Sequence, residues 1–65
     1  MQGIFRQALN QLTDAERIVL VLHDVDNESY QEIANHFHIQ INNVRTRLWR
    51  AREKLRRILK PYIAE

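Results

Sequence analysis

Apolar residues recur along this chain at three- and four-residue spacing, in four blocks separated by polar punctuation. Ile4, Phe5, Ala8, Leu9 and Leu12 form the first block, one stripe on a helix from about Ile4 to Leu12. The second block opens at Thr13-Asp14-Ala15-Glu16. A Thr with an acid three residues later is the capping-box pattern, and Asp14 and Glu16 put negative charge at the positive end of the helix dipole. This helix is expected to turn Ile18, Val19, Val21, Leu22 and Val25 inward. Asp26-Asn27-Glu28 then breaks it, because Asn27 tolerates the left-handed backbone that ends a helix.

The third block repeats the logic. Ser29 reads as an N-cap, and Glu32 completes a second capping box. Ile33, Ala34 and Phe37 are expected to face inward, and the helix to end near His38. Only about three residues, His38 to Gln40, precede the next helix. Two helices joined so tightly cross steeply, which is the helix-turn-helix arrangement. The fourth helix is predicted over Ile41 to Leu59. At 100° per residue, Ile41, Val44, Leu48, Ala51, Leu55, Ile58 and Tyr62 fall on one stripe. Asn42, Thr46, Trp49, Arg50, Glu53 and Arg57 take the opposite face. Pro61 is expected to end this helix by biasing its preceding residue away from helical geometry. The pattern therefore predicts an all-α fold, a four-helix domain containing a helix-turn-helix with a long C-terminal recognition helix. It forms a single domain over residues 1–65, without linker or internal repeat.

Composition narrows the function. Sixty-five residues allow one domain with a small core, which leaves little room for an enzyme pocket with walls of its own. The absence of cysteine excludes disulfides and Cys-based zinc sites. The longest apolar run, Ile18 to Leu22, is far short of the roughly 20 residues that span a bilayer. No apolar stretch follows a basic one near the N-terminus, so a signal peptide is not expected. A cytoplasmic location without membrane insertion follows as the expectation. His23, His36 and His38 are the candidate metal or catalytic side chains. His36 and His38 are two apart and do not share a helix face, whereas helical zinc ligands want four-residue spacing. No catalytic residue, metal or cofactor is expected.

Charge adds a partner. Residues 1–32 carry Arg6 and Arg17 against six acids, a net −4. Residues 33–65 carry eight bases, mostly Arg, against Glu53 and Glu65, a net +6. A basic half of this kind fits a polyanion, and guanidinium suits phosphates and guanine edges. Asn42, Asn43, Arg45, Thr46, Arg47, Trp49 and Arg50 suit the part of a helix that enters the major groove of double-stranded DNA. Arg52, Lys54, Arg56, Arg57 and Lys60 wrap around the helix and suit phosphates or solvent. Trp49 sits about 120° from the apolar stripe, which predicts partial exposure.

Thr13 to Leu20 (TDAERIVL), Ser29 to Ala34 (SYQEIA) and Val44 to Leu55 (VRTRLWRAREKL) strongly resemble region 4 of bacterial sigma factors. The extracytoplasmic-function branch is the nearest, through Arg47-Leu48-Trp49-Arg50-Ala51-Arg52 followed by Leu55. The resemblance covers residues from about 5 to 60. It implies sequence-specific binding of the promoter −35 element by the last helix, and docking on the β flap of RNA polymerase. It assigns Arg45, Thr46, Trp49 and Arg50 to the major groove, and Tyr30, Asn42 and Asn43 to positions near phosphates. With Arg47, Lys54 and Arg57 these make the candidate DNA-binding set. An anti-sigma protein is a further partner the resemblance implies.

The chain departs from the family pattern at several points. His38 stands at the turn where the family usually has Gly, and Gln40 where it has a Ser cap; Asn27 replaces another common Gly. The DNA preference is therefore the least defined expectation. Region 2, which a complete sigma factor carries, is missing from the sequence. The expectation is an excised domain, with Met1-Gln2-Gly3 as a remnant of the excision; the alternative is a stand-alone region-4-like protein. Two rival readings are weighed. One is the output domain of a LuxR-type response regulator, disfavoured by the unbroken stripe from Ile41 to Ile58. The other is a region 4 module held mainly by an anti-sigma protein.

Overall fold

The computed structural model describes residues 2–62 and is helical throughout its regular elements. Helix α1 spans Gln2–Asn10, α2 Asp14–Asp24, α3 Tyr30–Phe37 and α4 Ile41–Leu59. A 3-10 turn over Lys60–Tyr62 follows. Met1, part of the expected leftover segment, lies outside the described residues. Gln2 and Gly3 belong to α1, which starts two residues before the apolar pattern does.

The predicted caps are present. Thr13 Oγ1 accepts the Glu16 N–H at 3.1 Å, and the Glu16 carboxylate accepts the Thr13 N–H at 3.0 Å. Ser29 and Glu32 repeat the exchange at 3.0 and 2.7 Å. Each pair satisfies two of the N–H groups a helix start leaves unpaired. Gln40 caps α4 without any side-chain hydrogen bond, the weaker start its residue type implies. Asn27 (φ 60°) and His38 (φ 56°) both adopt the left-handed region. At His38 this reverses the chain out of α3, and Ile39 N–H donates back to the Ala34 carbonyl at 3.0 Å.

Helix α4 contacts each of the other three helices, α2 most extensively. Val19, Ile33, Val44 and Leu48 are the largest fully buried side chains, with Ala8, Leu12, Leu20, Ala34 and Ala51 around them. The N-terminal half of α4 buries Val44 and Leu48 on one side and leaves its opposite side exposed.

Several inward assignments are corrected. Ile18, Val25 and Phe37 are exposed, as are Phe5 and Tyr62. Leu20 is buried instead. Positions 18 to 22 are all apolar, so composition does not fix the phase of α2. Packing fixes it, through the line Glu16, Val19, Leu20 and His23 at three- and four-residue spacing. The stop at Pro61 also works differently from the expectation. Lys60 remains helical (φ −51°, ψ −45°), and the helix tightens into 3-10 geometry across the proline.

Candidate nucleic-acid interface

The exposed side of α4 carries most of the residues singled out in the sequence. Asn42, Asn43, Arg45, Thr46, Trp49, Arg50 and Arg57 are all exposed. The Trp49 indole is 65% exposed, so it is not a core residue. Thr46 Oγ1 donates to the Asn42 carbonyl at 2.9 Å, which leaves its methyl group and oxygen lone pairs for a partner. Arg47 is only half-buried on the flank of the helix beside the core.

Ion pairs thin the positive charge selectively. Lys54 Nζ donates to Glu16 at 2.9 Å, Arg52 to Asp24 at 2.8 Å and Arg56 to Glu53 at 2.5 Å. Lys54 is thereby held against α2. Seven residues from Arg47 on the same flank, it faces α2 rather than the exposed side. Arg45, Arg50, Arg57 and Lys60 are exposed and have no ion-pair partner among the described residues. The outer side of α4 thus combines unpaired guanidinium groups, carboxamides and an open indole.

Tyr30 is brought to the edge of this surface from the start of α3. It is half-buried, with its ring 4.8 Å from that of His23 and the Arg45 guanidinium carbon 5.8 Å from its centroid. His23 was not foreseen as part of the site. It is seven residues before Tyr30, across the α2–α3 turn, and no local spacing links the two. A depression of about 300 Å³ runs along this edge, lined by Tyr30, Arg45, Trp49, Arg52 and Arg56 among others.

A second surface feature is apolar. Phe5, Leu9, Val21, Val25, Leu55 and Leu59 line a groove of about 430 Å³ between α1, α2 and α4. It accounts for the exposure of Phe5 and Val25, which face a groove rather than the core. No group of three or more His, Cys, Asp or Glu is arranged to hold a metal among the described residues. No helix there is long and apolar enough to cross a membrane.

Residues 2–55 match the family model described as sigma-70, region 4. The chain belongs to the sigma-70 region 4 family. Region 4 is a DNA-binding transcription-factor domain and not an enzyme, as expected from the sequence. The match removes the LuxR-type reading. The chain is also similar to the RNA polymerase sigma-H factor of Pseudomonas aeruginosa, 31% identical over 65 residues. That alignment covers all of this chain and 34% of the relative. The chain thus spans about a third of the length of the curated relative it matches.

Proposed function

We propose that this region 4 domain reads the −35 element of promoters in the major groove through α4, as part of an extracytoplasmic-function sigma factor that directs RNA polymerase. One observation carries the reading. Arg45, Thr46, Trp49 and Arg50 share the exposed side of the N-terminal half of α4, whose other side holds Val44 and Leu48 in the core. Arg reads guanine O6 and N7 with two hydrogen bonds, and the Thr methyl or the indole meets a thymine methyl. Asn42, Asn43 and Tyr30 sit where the phosphates flanking a bound helix would lie, and Arg57 follows one strand further along. Arg47 contributes from the flank.

The apolar groove supports a protein partner. Its aliphatic lining and the aromatic ring of Phe5 suit an amphipathic helix. The β flap of the polymerase is the partner we assign to it. An anti-sigma protein covering the same surfaces is the second reading, favoured by the same exposed apolar lining.

Selection from random duplex DNA at two salt concentrations tests the proposal. Enrichment of a GGAAC-like motif at both is the expected result. Binding without a motif at the higher salt would reduce α4 to a polyanion footprint and overturn base readout by this domain.

A further inference from the structure

The structure links a side chain of α2 to the DNA-facing side of α4 through an aromatic ring of α3. His23 Nδ1 lies 2.9 Å from the Glu28 carbonyl oxygen. A carbonyl only accepts, so Nδ1 carries the proton and the ring orientation is fixed by the turn between α2 and α3. That turn is itself closed by the Glu28 N–H donating to the Leu22 carbonyl at 2.9 Å. The fixed imidazole packs against Tyr30, ring centroids 4.8 Å apart and planes tilted by 39°. Tyr30 in turn lies 5.8 Å from the guanidinium carbon of Arg45, within range of a cation–π contact.

We propose that His23 is a positioning residue for Arg45, acting through Tyr30. An exposed arginine has many rotamers, and ordering it on DNA costs conformational entropy. Resting the guanidinium against a ring that is itself held in place narrows those rotamers before DNA arrives. Preorganisation of this kind raises affinity without adding a contact. In this reading His23 does not touch the DNA bases. Its effect travels along the path His23, Tyr30, Arg45. The inference rests on the DNA-reading role proposed above for Arg45.

The test has two arms on the whole chain. In the DNA-free domain, Arg45 side-chain mobility and its Nε–H shift are followed by nitrogen-15 NMR. His23→Ala is expected to mobilise Arg45 and move its Nε–H shift, while His23→Phe, which keeps a ring against Tyr30, restores much of both. An Arg45 signal indifferent to His23→Ala overturns the proposal, whatever the DNA results. In the second arm, affinity for the selected duplex is measured in a double-mutant cycle. His23→Ala is expected to weaken binding about two- to fivefold beside an intact Arg45, a size set by an exposed cation–π contact. Beside Arg45→Ala it is expected to have no further effect. Equal losses in both backgrounds mean a merely structural role and overturn the proposal. If Arg45→Ala itself leaves DNA affinity unchanged, the reading role of Arg45 fails, and positioning for DNA fails with it. In that event the NMR arm still reports separately whether His23 holds Arg45.

Discussion

Lys54 Nζ lies 2.9 Å from Oε1 of Glu16, the same oxygen that accepts the Thr13 N–H at 3.0 Å. One carboxylate thus closes the start of α2 and ties α4 to it. Glu16 is only 6% exposed, and that burial works against its ionised form. The hydrogen bonds from Lys54 and Thr13, with the Lys54 charge, outweigh burial and hold the carboxyl below its ordinary value of 4.5. A depressed folded-state pKa means stability that is fully present above the unfolded value and lost as pH falls through the folded one. Glu16→Gln keeps a capping-box acceptor but removes the charge. It is expected to cost about 1–2 kcal/mol at neutral pH, at the lower end for charged hydrogen bonds because water screens the half-exposed Lys54. Urea unfolding at pH 7 and at pH 3 checks this. The gap between wild type and variant should shrink in acid, and a constant gap would separate the charge from the stability.

His38 occupies left-handed backbone at φ 56° and ψ 43° with its side chain exposed. A residue with a Cβ is disfavoured there, whereas glycine is not. His38→Gly is therefore expected to raise stability by about 0.5–1 kcal/mol, the scale of matching residue type to backbone. The urea midpoint should rise at unchanged slope. A fall in midpoint would show that the imidazole contributes contacts larger than the backbone cost.

Most of this architecture was legible in the chain because local rules dominate it. The two capping boxes, the left-handed Asn27 and His38, and the Ile41–Leu59 helix each depend on residues within a few positions of one another. Legibility failed where geometry is set across helices. Five apolar residues in a row hid the phase of α2, and its acid Glu16 took a buried position beside Lys54. For the site, the exposed side of α4 followed from helical periodicity. The pairing of Lys54 with Glu16 and the link from His23 to Tyr30 did not. Those contacts span 38 and seven residues and leave no mark in local spacing.

Val25 is 69% exposed on the rim of the apolar groove. Replacing it by Gln removes apolar surface without opening the core, so folding should be little changed. Docking of an apolar helix there would leave the new amide poorly hydrogen-bonded. Affinity for a β-flap fragment is expected to fall about tenfold, the equivalent of about 1.4 kcal/mol. DNA affinity should stay as it was. Unchanged flap binding on titration calorimetry would move the partner away from this groove.

Arg57 is exposed on the C-terminal half of α4, beyond Arg45, Thr46, Trp49 and Arg50. Its expected partner is a phosphate, which carries no sequence information. Arg57→Ala should weaken binding to selected and scrambled duplexes alike. It should also lower the steepness of log affinity against log salt by about 0.9, the share of one phosphate on B-form DNA. A loss confined to the selected duplex would instead bring this residue to a base edge and shift the docking of the whole helix.

Arg50 differs from Arg57 in position and so in the kind of loss expected. It lies nine residues into α4, two turns earlier than Arg57, exposed and without an ion-pair partner among the described residues. A guanidinium there is free to take guanine O6 and N7 together, a geometry lysine does not reproduce. Arg50→Ala is expected to cost about 1–3 kcal/mol on the selected duplex and to relax preference at one base position. Arg50→Lys should restore part of the affinity, through charge, but little of the preference. Repeating the random-duplex selection with both variants separates these effects. If the lysine variant recovers the full motif, Arg50 acts as a point charge on the backbone, and base readout rests on Arg45, Thr46 and Trp49 instead.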